Sequence, residues 1–149
     1  MTGARLAAEL RAACEALVGC LEAIDPARWS LISDASTWSI GKDAEHVAEA
    51  AGYHLWIVRR TIGQRVASQR PRLERSHLTT PLTIPEAVGR LRARTEEGRA
   101  LIEALGPAEL SLPTRPARAG DETLGVTIER VLIGHYGTHQ RDIERKLGV

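Results

Sequence analysis

The sequence predicts an all-α protein, a four-helix bundle with a crossover connection, folded as a single domain over residues 1–149. Apolar residues recur every three or four positions in four segments, and no alternation of apolar and polar residues indicates a strand. A chain of 149 residues, 43% of them hydrophobic, is long enough to bury one core without disulfides. Aromatic residues are scarce, with no Phe, two Tyr and three Trp. The core is therefore expected to consist of Leu, Ile, Val and Ala, which suits close helix packing.

The first helix is predicted from Thr2 to Ile24, and its apolar stripe comprises Leu6, Leu10, Ala13, Leu17 and Leu21. Asp25-Pro26 ends it, because proline disfavours helical backbone in the residue before it. Cys14 and Cys20 lie on different faces of this helix, about 9 Å apart along its axis at about 1.5 Å per residue. That separation is too large for a disulfide, so both are expected to be free thiols.

The second helix is predicted from Ser39 to about Ala67, with a stripe of Ile40, Ala44, Val47, Ala51, Leu55, Val58 and Ile62. The third begins at Thr83, which forms a capping box with Glu86, and it ends at Gly106-Pro107. The fourth is predicted from Thr123 to Leu147. The connections over residues 28–38, 68–82 and 107–122 are long, whereas an up-down bundle needs only short ones, so at least one crossover is expected.

The charge and composition argue against several partners. The formal net charge is +1, and no basic face of the kind found in nucleic-acid-binding domains is evident. No apolar run approaches 18 residues and no signal peptide is recognisable, so no membrane partner is expected. Together with two free thiols, these features predict a cytoplasmic protein.

The stretch "GHYGTHQRD" places His135 and His139 four residues apart on the fourth helix. Projected at 3.6 residues per turn from Ile128, both histidines fall on the line that should face the core. Side chains four apart have Cβ atoms about 5–6 Å from each other, so two imidazoles can reach one ion. The second helix offers His46 or His54 as a third ligand, and spacing alone does not choose between them.

The alternative to a metal site is a pair of hydrogen-bonded polar side chains in a helical bundle. A zincin motif is absent, because Tyr136 rather than Glu follows His135. Asp43 and Asp142 each lie three residues from a candidate ligand, where a carboxylate can orient an imidazole. They could equally form surface ion pairs, Asp142 with Arg145 or Lys146.

Two long connections carry clustered arginines: Arg70, Arg72 and Arg75 in one, and Arg115 and Arg118 in the other. Arginine binds carboxylates through two parallel hydrogen bonds, so these side chains could hold the carboxylates of a small cosubstrate. The alternative interpretation is that both connections are merely solvated and basic.

Two stretches, "WSIGKDAEHVAEAAGYH" (38–54) and "TLGVTIERVLIGHYGTHQRDIERKLG" (123–148), together resemble the DinB/YfiT-like superfamily of metalloenzymes. The resemblance extends from about Trp29 to Leu147. It implies a four-helix bundle of unusual crossover topology and a divalent transition metal, with Zn or Ni expected, held by three histidines. In this chain those histidines are His46, His135 and His139, so the resemblance favours His46 over His54.

The resemblance also implies an activity. Characterised branches of the superfamily use a low-molecular-weight thiol such as bacillithiol or mycothiol as cosubstrate, so a metal-dependent thiol S-transferase acting on a small electrophilic substrate is expected. A metal-dependent hydrolase that activates water, and a non-catalytic binding protein with a vestigial site, are the alternatives. Members are often dimers, and the small residues Ala8, Ala12 and Gly19 on the first helix suit a homodimer.

Overall fold

The computed structural model describes residues 1–34, 37–116 and 122–149, and this part of the chain is mostly helical and has no β-strand. In chain order the elements are α1 (Gly3–Glu22), α2 (Pro26–Trp29), α3 (Ile40–Thr61), α4 (Ile84–Glu103), α5 (Pro107–Leu110), α6 (Leu124–Thr127), a π-helical segment (Ile128–Ile133) and α7 (Gly134–Leu147). The all-α prediction is confirmed.

The long helices pack around a common core. Helix α1 contacts α4 and α7, and α3 contacts the same two helices. The core is aliphatic, as the composition predicts, and its fully buried side chains include Leu6, Leu10, Leu17, Leu21, Leu55, Leu91, Ile102, Leu124 and Ile128. No helix in the described ranges combines the length and the apolar character needed to cross a membrane.

The connection from α3 to α4 is the predicted crossover. It runs back along the outside of α3, as two hydrogen bonds show: Trp56 Nε1 donates to Ala67 O at 2.9 Å, and Ser39 N donates to Leu78 O at 2.7 Å. Helix α4 therefore begins near the start of α3, and the two helices run parallel. This arrangement leaves one side of α3 facing α7 and another covered by the connection.

Helix α3 ends at Thr61, six residues before the predicted end at Ala67. The apolar pattern continues through Ile62, but Gly63 adopts a left-handed conformation with φ of 81° and its N–H donates to Arg60 O at 3.2 Å. Glycine is the residue that enters this region at least cost, so it commonly stops a helix. The other long helices begin and end within about two residues of their predicted limits, which is the usual uncertainty of helix ends.

Two short helices, α2 and α5, were not predicted. Each begins at a proline, Pro26 and Pro107, that the sequence pattern indicates only as the end of the preceding helix. Proline suits the first turn of a helix because its missing N–H would have no partner there. For α2 the Asp25 carboxylate also accepts a hydrogen bond from Ala27 N at 3.0 Å. The same residues therefore end one helix and begin the next.

The π-helical segment Ile128–Ile133 changes which side of α7 faces the core. A regular projection places His135, Thr138 and His139 on the core-facing line, and this expectation is wrong. Thr138 is exposed, the two histidines are half-buried at the edge of the core, and Tyr136 is 1% exposed in its centre. A π turn holds about one extra residue, which rotates everything after it by about 100°.

Both cysteines are free, as predicted. Cys14 lies in the core against α4, and Cys20 is half-buried at its edge. Burial raises the pKa of both thiols, so both are poor nucleophiles at neutral pH.

Candidate metal centre

Three histidines from two helices converge beside the core. His46 of α3 and His135 and His139 of α7 each offer a ring nitrogen, and these three atoms lie within 4.8 Å of one another. The Nε2 atoms of His135 and His139 are 3.1 Å apart. Two ligands of a tetrahedral ion with bonds of about 2.0–2.1 Å would be about 3.3 Å apart. The spacing of this histidine cluster (His46, His135 and His139) therefore suits a single ion.

The first turn of α3 is fastened to the last turn of α7. Lys146 Nζ donates to Trp38 O at 2.8 Å and also to the Asp43 carboxylate. The two helices consequently run antiparallel, with their histidines facing each other. The ring centroids of His46 and His139 are 5.0 Å apart as a result.

A buried hydrogen bond fixes the rotation of α7. Tyr136 OH lies 2.9 Å from Thr95 Oγ1 of α4, and both side chains are buried. Tyrosine hydroxyls in a core generally have such a partner, because an unpaired polar group there is costly. With Tyr136 directed at α4, its neighbour His135 is directed away from α4 and towards His46.

The environment of the cluster keeps two of its imidazoles neutral. Burial, followed by the proximity of His139 and of other basic groups, lowers the pKa of His46 to about 4 and that of His135 to about 3. Both rings therefore have a free lone pair at neutral pH. The Nδ1 atoms of His46 and His135 are buried and have no hydrogen-bond partner in the described part of the chain. Neutral, closely spaced nitrogens of this kind fit a divalent transition metal.

The two candidate orienting carboxylates both lie near His139. Asp43 Oδ1 is 3.5 Å from His139 Nδ1, and Asp142 Oδ2 is 3.9 Å from the same atom. The Asp43 side chain is 4% exposed, whereas that of Asp142 is 31% exposed and paired with Arg145. Asp43, which precedes His46 by three residues, thus faces a histidine of the other helix.

His54, the alternative third ligand, lies next to the cluster but outside it. Its ring contacts that of His135 edge-on, with centroids 5.5 Å apart. Among the described residues, the group whose nitrogens lie within 4.8 Å of one another contains His46 and leaves out His54. The geometry therefore favours His46, which spacing alone could not do.

Two further side chains, Trp38 and Lys42, lie beside the cluster, and of these Lys42 was not predicted. The Trp38 ring lies 4.9 Å from that of His46, between centroids. The Lys42 side chain is only 1% exposed; its Nζ lies over the Trp38 ring at 5.9 Å and 3.7 Å from Glu45 Oε1. Lys42 and His46 are spaced by four on α3 and so share a face of that helix, whereas Trp38 precedes it.

The arginines of the α3–α4 connection lie beside a cleft of about 700 Å³, which is lined by Tyr53, Gln69, Arg70, Pro71, Arg72, Leu73 and Arg75. Of the second predicted group, Arg115 and Arg118, the described residues include only Arg115, and it does not line this cleft. Arg115 is exposed, and its backbone N–H donates to Thr61 Oγ1 at 2.9 Å. Arg118 lies outside the described residues.

Comparison with known protein families gives one finding. The family model described as the DinB superfamily matches residues 6–143, which is nearly the whole chain and includes all three histidines of the cluster. Comparisons with curated proteins and with solved structures give no match. The family match agrees with the resemblance found in the two histidine-bearing stretches.

Proposed function

The chain belongs to the DinB superfamily, and from that membership and the histidine cluster we propose that it binds a divalent metal through His46, His135 and His139. The observation that carries this proposal is the approach of three ring nitrogens to within 4.8 Å of one another. Three imidazoles suit several transition metals, of which Zn and Ni are the leading candidates. Asp43 would orient His139 from behind by accepting a hydrogen bond at Nδ1.

The activity that we propose is a metal-dependent thiol S-transferase. A bound divalent ion lowers the pKa of a thiol that coordinates it and so supplies a thiolate at neutral pH. Cys14 is buried and Cys20 half-buried, and the pKa of both thiols is raised, so a low-molecular-weight cosubstrate is the expected source of the sulfur. Three protein ligands leave a position open for it, as in catalytic zinc sites. The neighbouring cleft would admit the small electrophile that accepts the sulfur.

The first test is the metal content of protein purified without a histidine tag, measured by mass spectrometry. About one ion per chain is expected, and His46→Ala, His135→Ala and His139→Ala should each lose it. His54→Ala is the matched control, because it removes a neighbouring buried histidine outside the cluster, and it should retain the metal. Metal retained in His46→Ala and lost in His54→Ala would overturn the ligand assignment. Absence of metal after reloading with Zn or Ni would overturn metal binding itself.

The activity is tested separately with metal-loaded protein, a fluorogenic electrophile such as monobromobimane, and bacillithiol, mycothiol or glutathione. Conjugation faster than the uncatalysed rate, and lost after chelation, supports the transferase. Hydrolysis of an ester or amide panel with no thiol conjugation would instead identify the chain as a metal hydrolase. Metal binding without either activity would identify a non-catalytic binding protein.

We also propose a cytoplasmic homodimer that pairs through α1. Ala8, Ala12 and Gly19 are exposed on this helix, and such small side chains allow two helices to approach closely. Light scattering after gel filtration should give a dimer mass, and Ala12→Arg should give a monomer. A monomeric parent protein would overturn this assembly.

A further inference from the structure

The cleft beside the histidine cluster is formed by α3 and by residues 69–75 of the connection, which we call the arginine segment. We propose that this cleft is a binding site for an oxyanion group, carboxylate or phosphate, of a small molecule. The further step, that this molecule reacts at the histidine cluster, rests on the proposed function. The cleft's volume of about 700 Å³ lies within the range typical of small-molecule sites.

The arginine segment is fastened to α3 on both sides. Before it, Trp56 Nε1 donates to Ala67 O at 2.9 Å, and within it Glu74 N donates to Glu49 Oε2 at 3.2 Å. The two points on α3 are about two turns apart, and Tyr53 lies between them. The segment is therefore held along the helix, and Tyr53 of α3 forms the opposite wall of the cleft.

Among the described residues, the guanidinium groups in this cleft have no acidic partner. In the described ranges, no Asp or Glu lies within ion-pair distance of Arg70, Arg72 or Arg75, although many other arginines are paired, for example Arg59 with Glu97 at 2.8 Å. The acidic residue of the segment, Glu74, accepts a hydrogen bond from Ser76 N at 2.8 Å. Three exposed arginines that line one cleft, with no acidic partner among the described residues, favour an anionic ligand, which a guanidinium group can bind with two parallel hydrogen bonds.

The cleft opens next to the histidine cluster. Tyr53 lines the cleft and contacts a neighbour of the cluster. A chain of ring contacts leads the same way: Tyr53 to His54 with centroids 5.6 Å apart, then His54 to His135 at 5.5 Å. A small molecule whose oxyanion is held by the arginines can therefore extend its other end towards the cluster.

The wall of the cleft on α3 favours an organic ligand over a bare ion. The Tyr53 ring is stacked on that of Trp56, with centroids 6.1 Å apart and planes at 17°. Trp56 is buried and does not line the cleft, so the Tyr53 ring, held in place by this stacking, is the flat surface that suits the carbon skeleton of a small molecule. The expected ligand is thus a compact molecule with one or more oxyanion groups.

The test is an NMR titration of the metal-free full-length protein with succinate, with inorganic phosphate, and with succinamide as a neutral analogue. Either oxyanion should shift the amide resonances of residues 69–75 and of Tyr53 in a saturable way, and succinamide should not. The tighter of the two anions identifies carboxylate or phosphate as the group recognised. Arg72→Gln and Arg75→Gln should each weaken binding by about tenfold, as expected for loss of a charge-assisted hydrogen bond.

Arg65→Gln is the matched control, because Arg65 is exposed on the same connection and does not line the cleft. It should leave the dissociation constant within about twofold, since only a distant screened charge is lost. Equal weakening in Arg65→Gln and Arg72→Gln, or shifts that do not saturate, would overturn the proposal. The metal content of Arg72→Gln should equal that of the parent. If the protein binds the anions but takes up no metal, only the proposed function is overturned. If it takes up metal but binds neither anion, only the proposed anion site is overturned.

Discussion

The Asp43 carboxylate joins the two helices that carry the histidine cluster, because Oδ1 lies 3.5 Å from His139 Nδ1 and Oδ2 accepts a hydrogen bond from Lys146. Asp43 is on α3 and both partners are on α7. Its side chain is 4% exposed, so the contact is shielded from solvent. One carboxylate thus lies beside an imidazole of the cluster and also holds together the two helices that carry the histidines.

Asp43→Asn is therefore expected to weaken metal binding by about 10–100-fold, the usual cost of losing a group that orients a metal-bound histidine. Asp142→Asn is the control, because this carboxylate is 3.9 Å from His139 Nδ1 and far more exposed, and it should have a smaller effect. Competition with a chromophoric chelator measures both affinities, and circular dichroism checks that each variant is folded. A larger loss in Asp142→Asn would contradict the assignment.

The stability of the metal-free protein should fall as the pH is lowered from about 6.5 towards 4. Histidines of the unfolded chain take up protons near pH 6.5, whereas the pKa of His46 is about 4 and that of His135 about 3 in the folded state. The unfolded state therefore binds more protons in this window and is favoured by acid, by about 1–2 kcal/mol per histidine at about pH 5. Above the window neither group contributes a pH dependence.

Urea unfolding at neutral and at mildly acidic pH measures this effect. His46→Gln and His135→Gln should each reduce the difference in unfolding free energy between the two conditions, because the substituted side chain does not titrate. If the difference is the same in both variants as in the parent, other groups are responsible for the acid sensitivity.

Gly41→Ala should destabilise the fold by about 1–3 kcal/mol, the usual cost of overpacking. A Cβ at this position would lie 2.5 Å from Thr80 Cγ2 and 2.7 Å from Trp29 Cε2. The Trp29 ring is buried, and its Nε1 donates to Leu82 O at 2.7 Å, so it has little room to shift. Gly89→Ala on α4 is the control: apart from the adjacent residues and the backbone of its own helix, no atom of the described residues lies within 4 Å of its Cβ position. It should stabilise the protein by about 0.5–1 kcal/mol. Thermal unfolding that ranks the two variants the other way would refute this packing argument.

Tyr136→Phe should lower the free energy of unfolding by about 1–3 kcal/mol, because it leaves the buried Thr95 hydroxyl without its tyrosine partner. Adding Thr95→Val should recover part of the loss, since no unpaired hydroxyl then remains at this contact. A double-mutant cycle by chemical unfolding measures the coupling between the two side chains. Additive effects would mean that the hydrogen bond does not hold α7 in place.

The long helices could be predicted because their buried faces repeat with the helical period and their ends carry ordinary capping residues. The crossover was foreseen from the length of the connections. The early end of α3 was not, because Ile62 continues the apolar pattern and Gly63 acts through its backbone. Helices α2 and α5 were not predicted, because Pro26 and Pro107 were interpreted only as the ends of the preceding helices, whereas a proline can also begin a helix.

The histidines of the candidate site could be predicted from the sequence, but the side chains around them could not. His135 and His139 are linked by their spacing, but the preference for His46 came from family resemblance and depends on how α3 faces α7. The buried Lys42 could not be foreseen from polarity, since lysine is normally exposed. The face of α7 was wrongly projected because a π-helical segment leaves no reliable mark in the hydrophobic pattern.

The π-helical segment divides the last helical region into two stretches whose faces are out of phase. Upstream, the inward positions are Leu124, Ile128 and Leu132; downstream they are Tyr136 and Ile143. The extra residue thus lets one continuous helical region bury aliphatic side chains upstream and, downstream, place Tyr136 in the core with the two histidines at its edge. Deleting a single residue here would turn α7 by about 100° relative to the stretch before it, and so would separate His135 and His139 from His46 while leaving every histidine in the sequence.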